Sequence, residues 1–339
     1  MSSVAPSPNE IARDARWLVQ ALDPASRFVR LVAMDRDAYR SASFLDDRLL
    51  QGSPDVRYVP WPAASEAAAL VERSDARWIF HIGHVGSTLI ARLLGELPGV
   101  LSIREPRFLR DIAALDASER RTFAKAAQAL YSRTFAGTEA ALVKATSFVT
   151  EMAAELVPAG GRAVFMYASA PNYIASILAG EQSRKELHAL AEARSSRLEA
   201  RARRLEGQGD SEAHLAAAAW AAEMTALEAA AEAMPGAEIF WVDFDRALAA
   251  LPETLSELAG FCGFEASPDE LRAIATGPLT RRYSKALEFD YSPDLRRELI
   301  AEAARAHSDG IGAALAMLER AAQESPLLAR ALSRSTTEA

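Results

Sequence analysis

Apolar positions along this chain arrive in short runs separated by stretches of helical spacing. The run Trp78-Ile79-Phe80-His81-Ile82 reads as a strand. A glycine-bounded loop follows it, Gly83-His84-Val85-Gly86-Ser87-Thr88, and then Leu89, Ile90, Leu93, Leu94 and Leu97 fall on one face of a helix. After Pro98-Gly99 a second run, Val100 to Ile103, delivers Arg104-Glu105-Pro106. Further strands are expected at Ala140–Val143, ending at Lys144, at Arg162–Tyr167 and at Glu238–Val242. Helical patterns separate them, and no tight hairpin dipeptide occurs. The fold class this predicts is α/β: a three-layer, doubly wound parallel sheet of about five strands. In such a sheet ligands bind beyond the carboxyl ends of the strands, where the loop and Glu105 fall.

Two regions lie outside that alternation. Residues 1–75 form a preface expected to be mainly helical and to pack on the core. Ile11–Leu22 has amphipathic helical spacing, Arg27–Met34 fits either strand or helix, Asp37–Leu50 reads as helix, Val56–Trp61 as extended and Ala63–Arg73 as helix. The domain proper is expected over 76–339, with a helical insertion at about 181–234 that breaks near Gly207-Gln208-Gly209-Asp210. Arginines and glutamates interleave from Arg184 to Arg204, the pattern of a solvated helix face. A helix over Leu251–Phe261 and two C-terminal helices between Leu295 and Leu332 complete the chain, with a disordered SRSTTEA tail expected.

At 339 residues, half of them hydrophobic, the chain is long enough for a large core. A net charge of −8 argues against nonspecific nucleic-acid binding but leaves room for a local basic pocket. With one cysteine, Cys262, neither an intrachain disulfide nor a cysteine metal cluster can form. The first residues lack a signal-peptide pattern, and no apolar run of about 18 residues occurs. A cytoplasmic protein is expected, with no membrane partner and the oligomeric state left open.

A glycine-bounded loop between strand and helix presents consecutive backbone N–H groups at a helix N-terminus, a geometry that holds an anion without a positive side chain. Ser87 and Thr88 add hydroxyl donors; the alternative is a plain strand–helix turn. The ATPase loop requires lysine after its second glycine. Ser87 stands there instead, which disfavours an ATP-dependent kinase.

With those residues in view, the chain resembles the 3′-phosphoadenylyl-sulfate (PAPS) dependent sulfotransferases. The resemblance rests on His84-Val85-Gly86-Ser87-Thr88 and Arg104-Glu105-Pro106. It continues in order through Leu142-Val143-Lys144-Ala145-Thr146, Ala168 to Ser176, Ile239 to Phe264 and Arg282-Tyr283-Ser284-Lys285, spanning roughly residues 77–290. What it implies is transfer of a sulfuryl group from PAPS, without a metal, to a hydroxyl or amine of a small molecule or peptide. Two positions depart from the family pattern. His84 stands where lysine or arginine is usual, and Ala168 replaces the arginine that usually holds the 3′-phosphate. Lys144, Arg281, Arg282 and Lys285 are the cations available instead. A non-catalytic relative that binds a nucleotide or a partner is the competing reading.

The resemblance and the chemistry of sulfuryl transfer together suggest roles. Glu105 is the candidate base, or else an ion-pair partner of Arg104, Arg107 or Lys144 that only shapes the loop. Lys144 is the candidate for stabilising the leaving oxygen. His84 either donates to the donor's phosphosulfate or stays neutral and bonds the loop. His81 reads as a satisfied core histidine. Gly83 to Thr88, Ser176, Arg281, Arg282 and Lys285 are the expected cofactor contacts. Asp243 and Asp245 read as turn residues. Trp220, Met224, Tyr39 and Phe44 read as core first, with an acceptor pocket as the alternative.

Overall fold

The structure is a computed structural model, and it describes residues 4–282 and 292–336. Five strands form the central sheet: β4 (Arg77–His81), β5 (Val100–Arg104), β6 (Ala140–Lys144), β7 (Arg162–Tyr167) and β8 (Glu238–Asp243). Their order is β5-β6-β4-β7-β8, and every pairing is parallel. This is the α/β fold that the alternation of apolar runs and helical spacing predicts. All five runs are apolar because helices cover both faces. Trp78, Phe80 and Phe165 are fully buried, with Phe80 edge-on to Phe165 at 5.8 Å and Phe165 edge-on to Trp241 at 5.0 Å.

The order decides where a ligand fits. From β4 the chain crosses to the far edge at β5, comes back through β6, and then proceeds to β7 and β8 on the other side of β4. Crossovers of the usual right hand then place helices on opposite faces, and a crevice opens at the C-terminal end of β4. The crossover helix after β4 is α4 (Ser87–Leu94). Helices α5 (Arg107–Ala113) and α6 (Ala117–Leu130) follow β5, and α7 (Ala153–Leu156) follows β6 after a 3-10 turn at Ser147–Met152. Helices α8 (Ala170–Leu178), α9 (Glu181–Arg201) and α10 (Glu212–Ala233) lie between β7 and β8. After β8 come α11 (Phe244–Ala249), α12 (Leu251–Cys262), α13 (Pro268–Ala275), α14 (Pro293–Ala306), α15 (Ser308–Ala322) and α16 (Pro326–Thr336).

The preface differs from the helical expectation. It holds α1 (Pro8–Arg13), α2 (Arg36–Ser41) and α3 (Trp61–Leu70) around a three-stranded antiparallel sheet of β1 (Trp17–Asp23), β2 (Phe28–Ala33) and β3 (Val56–Pro60). Ile11, Ala15, Leu18 and Leu22 do fall at helical intervals and are all buried. Only Ile11 is in a helix, however; Asp14 ends α1 in an extended conformation, and the nearly continuous run from Trp17 to Leu22 pairs with β2 instead. Arg27 closes the β1–β2 turn at φ 58°. Residues 37–50 likewise divide into α2 and a 3-10 turn at Asp47–Gly52 rather than one helix.

Arg104 joins the two sheets. It is buried to 1%, and its guanidinium donates to the carbonyls of Tyr39, Arg40, Ala42 and Ser102. Burial lowers its pKa to about 9, so the group stays charged at neutral pH. In return, Leu45 N–H donates to the Arg104 carbonyl at 2.8 Å. Residues 39–45 are thereby clamped against the end of β5.

At the C-terminus, three helices stand where two were expected. The last runs to Thr336, so Ser333 to Thr336 of the expected disordered tail are helical.

Candidate active site

The loop after β4 leaves the sheet through an unusual succession of left-handed residues: Gly83 (φ 83°), His84 (φ 56°) and Gly86 (φ 60°). Turning the backbone this way brings successive N–H groups to one side, a concave arrangement suited to an anion. Gly86 is the N-cap of α4 and has no side chain with which to cap it. The first N–H groups of that helix therefore lack an intrahelical acceptor. A Cβ at Gly86 would sit 2.0 Å from the Phe244 ring, so α11 packs against the loop at a point where only glycine fits. Val85 is buried, which leaves its backbone as the part that can meet a ligand. Ser87 and Thr88 are buried at the start of the helix, and Thr88 Oγ1 has no hydrogen-bond partner among the described residues.

His81 is held from both sides. Its Nδ1 accepts from Gly83 N–H at 2.9 Å, so its Nε2 carries the proton and donates to the Ala145 carbonyl at 2.9 Å. It is the satisfied core histidine that its place in a strand suggests, and it fixes the start of the loop.

Register brings the next two side chains together. In the β5–β6 pair, Arg104 is opposite Lys144, and Glu105 N–H donates to the Lys144 carbonyl at 2.8 Å. The chain then turns sharply at Glu105, a non-glycine residue at φ 52°. Its carboxylate forms an ion pair with Lys144 Nζ. Lys144 is 1% exposed and Glu105 14%. A left-handed, non-glycine residue costs on the order of 1–3 kcal/mol, and such strain concentrates where function requires an aimed group. Of the three ion-pair partners considered for Glu105, Lys144 is the one in contact. Arg104 is directed into the preface, and Arg107 pairs with Asp47 and Asp111.

These groups border one cavity of about 730 Å³. Gly83 to Thr88, Glu105, Lys144, Ser176 and Arg282 all line it. Ser176 Oγ donates to the Tyr173 carbonyl at 2.9 Å, one turn back along α8. Arg281, the last residue of the 3-10 turn at Pro278–Arg281, is exposed and does not line the cavity. Tyr283, Ser284 and Lys285 lie outside the described residues.

Several contributors were not among the expected site residues. Arg48 comes from the preface, stacked 3.6 Å above the Phe44 ring and held by Asp46 through two nitrogens. Arg296 comes from α14, ion-paired with Asp245 and 4.8 Å above the Phe244 ring. Thr146 follows Lys144 and has a buried, unpartnered Oγ1. Glu186 lies on α9, with Oε1 3.7 Å from His84 Nε2. The one signal available in sequence was Thr146, two residues beyond Lys144. The others come from remote segments whose placement depends on packing.

The remaining candidates separate cleanly. Phe44 lines the cavity, whereas Tyr39, Trp220 and Met224 are core. Tyr39 donates its hydroxyl to the Ala15 carbonyl, and Trp220 Nε1 donates to the carbonyl of Ala168 at 2.9 Å. Ala168 is thus buried under α10. Asp243 caps α11, accepting from the N–H groups of Asp245 and Arg246, while Asp245 holds Arg296 and Asn172. The arginine-rich insertion is only partly solvated: Arg194 is buried against Glu223, and Gln182, Ser183 and Glu186 reach the cavity.

Among the described residues, no cluster of three or more metal-ligating side chains occurs, and no helix is long and apolar enough to cross a membrane. No family model matches this chain. No curated protein matches it either. Among solved structures, a sulfotransferase domain from the curacin biosynthetic pathway is similar with a TM-score of 0.40 and 13% identity, over 66% of this chain and 86% of that one. Likeness at that level carries no functional argument.

Proposed function

We propose that this chain transfers a sulfuryl group from PAPS to a hydroxyl or amine of a small molecule or peptide. The observation that carries the reading is a juxtaposition: an anion-type loop at a helix N-terminus and a buried carboxylate–ammonium pair share one cavity. A loop alone fits any phosphate ligand. A carboxylate beside it, turned inward by a left-handed backbone, adds a group suited to taking a proton from an acceptor.

The residues present fit such a donor. Thr88 Oγ1 is an orphaned buried hydroxyl at the loop, and Lys144, Arg282 and Arg296 put permanent cations around the cavity. The N–H groups of Gly83 to Thr88 and the Thr88 hydroxyl would hold the phosphosulfate end, with Ser176 and Arg282 beside them. Bound there, PAPS supplies an activated sulfuryl group: a new bond forms from sulfur to the acceptor atom as the bridging S–O bond breaks. Glu105 takes the acceptor's proton on a carboxylate oxygen. Lys144, paired with Glu105, supplies the ammonium charge for the oxygen that gains negative charge. Arg48 and Phe44, clamped over β5 by Arg104, border the acceptor side.

Thermal shift with the desulfated product PAP, beside ADP, ATP and AMP, tests this reading. Stabilisation by PAP in preference to ADP is expected. ATP with Mg²⁺ acting alone would overturn it in favour of a kinase. Silence toward every nucleotide would favour a non-catalytic partner-binding protein, the reading that Ala168 supports.

A further inference from the structure

Within Gly83 to Thr88, His84 is the one side chain that can ionise, so its protonation sets the charge of the loop. Three helices and the strand ends surround it. From α9, Glu186 Oε1 lies 3.7 Å from His84 Nε2. Arg194 Nη2, also on α9, lies 3.9 Å from that same Glu186 oxygen. Arg194 is in turn anchored in the interior by Glu223 of α10, with Nε to Oε1 at 3.2 Å. From α8, Tyr173 meets the imidazole edge-on at 6.4 Å; burial pushes its phenol up to about 12, so it stays neutral. Across the cavity, Glu105 and Lys144 pair with each other, His81 is fixed at both nitrogens, and Arg282 and Arg296 stand on the C-terminal side. Among the described residues Glu186 is thus a carboxylate placed against His84, and a buried arginine steadies it.

We propose that Glu186 is a positioning residue that holds His84 as an imidazolium, making the anion affinity of the loop depend on pH. The identity of the anion rests on the donor reading above. An opposite charge within about 4–6 Å favours the charged form of a histidine, and a bound anion favours it further. The free-state and bound-state titrations of His84 then differ. The gain in affinity is fully present below the free-state value and is lost as pH rises through the bound-state value. For an imidazole this window is centred near the ordinary value of ~6.5 or above it. The helical insertion thus reaches the donor loop through one carboxylate, and its charge network serves the site as well as the fold.

The test is PAP affinity by calorimetry from pH 5.5 to 8.5 at constant ionic strength, for the wild type, His84→Asn and Glu186→Gln. Asparagine tolerates the left-handed backbone at position 84 and does not titrate. Because PAP's own phosphates ionise in this range, the ratio of wild-type to His84→Asn affinity isolates the histidine. That ratio is expected to grow about tenfold as pH falls, the worth of one charge-assisted contact. Glu186→Gln should leave the melting temperature unchanged and move the midpoint of the rise to lower pH. Parallel wild-type and His84→Asn profiles would overturn the proposal, and so would a Glu186→Gln profile that coincides with wild type. If PAP binds none of the three proteins, the transfer reading falls. Stabilisation by inorganic sulfate, whose charge is constant over this range, then decides the His84–Glu186 proposal with the same variants and criteria.

Discussion

The cavity has two halves built on different principles. The strand-end half consists of Gly83 to Thr88, Glu105, Lys144 and Thr146. Each is within a few residues of a strand end, and sheet register fixes its height: His81 is opposite Met166, and Arg104 opposite Lys144. The helical half brings Phe44 and Arg48 from the preface, Glu186 from α9 and Arg296 from α14. Those cations and acids are held mainly by side-chain ion pairs, Arg48 with Asp46, Arg296 with Asp245 and Glu186 with Arg194. Backbone ladders are short-range and cooperative, so they hold reacting groups to fractions of an ångström. Ion pairs between long side chains are softer. On the proposed transfer reading, chemistry belongs in the first half and selection of what enters in the second.

Substitutions can break or sharpen this contrast. The largest effect is expected at the strand ends: Glu105→Gln should cut the transfer rate by about 10²–10⁴-fold while PAP affinity is retained. Single-turnover rates beside calorimetry check it, and surviving activity would remove Glu105 as the base. In the helical half the largest effect is on stability. Glu223→Ala strands Arg194, whose side chain is 4% exposed, and should cost about 3–5 kcal/mol in urea unfolding. A loss near that of a surface pair would mean that water already reaches Arg194.

Gly86→Ala should cost about 1–3 kcal/mol, since its Cβ would meet the Phe244 ring. Combined with Phe244→Ala, the loss should be less than additive, because the smaller side chain leaves room. A fully additive double variant would assign the cost to the left-handed backbone alone. Smallest is Glu181→Ala. Its partner Lys185 is 66% exposed, and unfolding should shift by less than about 0.5 kcal/mol. Glu181 and Glu223 thus measure what burial adds to a charge on the same helical pair.

The legibility of the chain follows that division. The five parallel strands, the loop and the Glu105–Lys144 neighbourhood could be read because each is local. An apolar run, a glycine at a forced turn or a charged residue at a strand end keeps its meaning whatever it packs against. The preface was misread for a physical reason. Ile11, Ala15, Leu18 and Leu22 are buried at intervals that a helix would produce, yet a helix, a bend and a strand achieve the same burial. Periodicity reports which residues are buried, not which backbone buries them.

For the insertion, charge pattern alone marked α9 as solvated. Whether an arginine on it meets water or Glu223 depends on how α10 packs, and no spacing within α9 encodes that. Arg48, Glu186 and Arg296 share the same fate: they are 138 and 110 residues apart in sequence and meet around one cavity only because Arg104 clamps the preface and the sheet order opens a crevice at β4. The amino-acid sequence was sufficient for the five central strands, their parallel arrangement and a glycine-bounded strand–helix loop, all of which arise from short-range sterics and burial. Tertiary structure alone decided which charges face that loop, because electrostatic partners are chosen by distance in space.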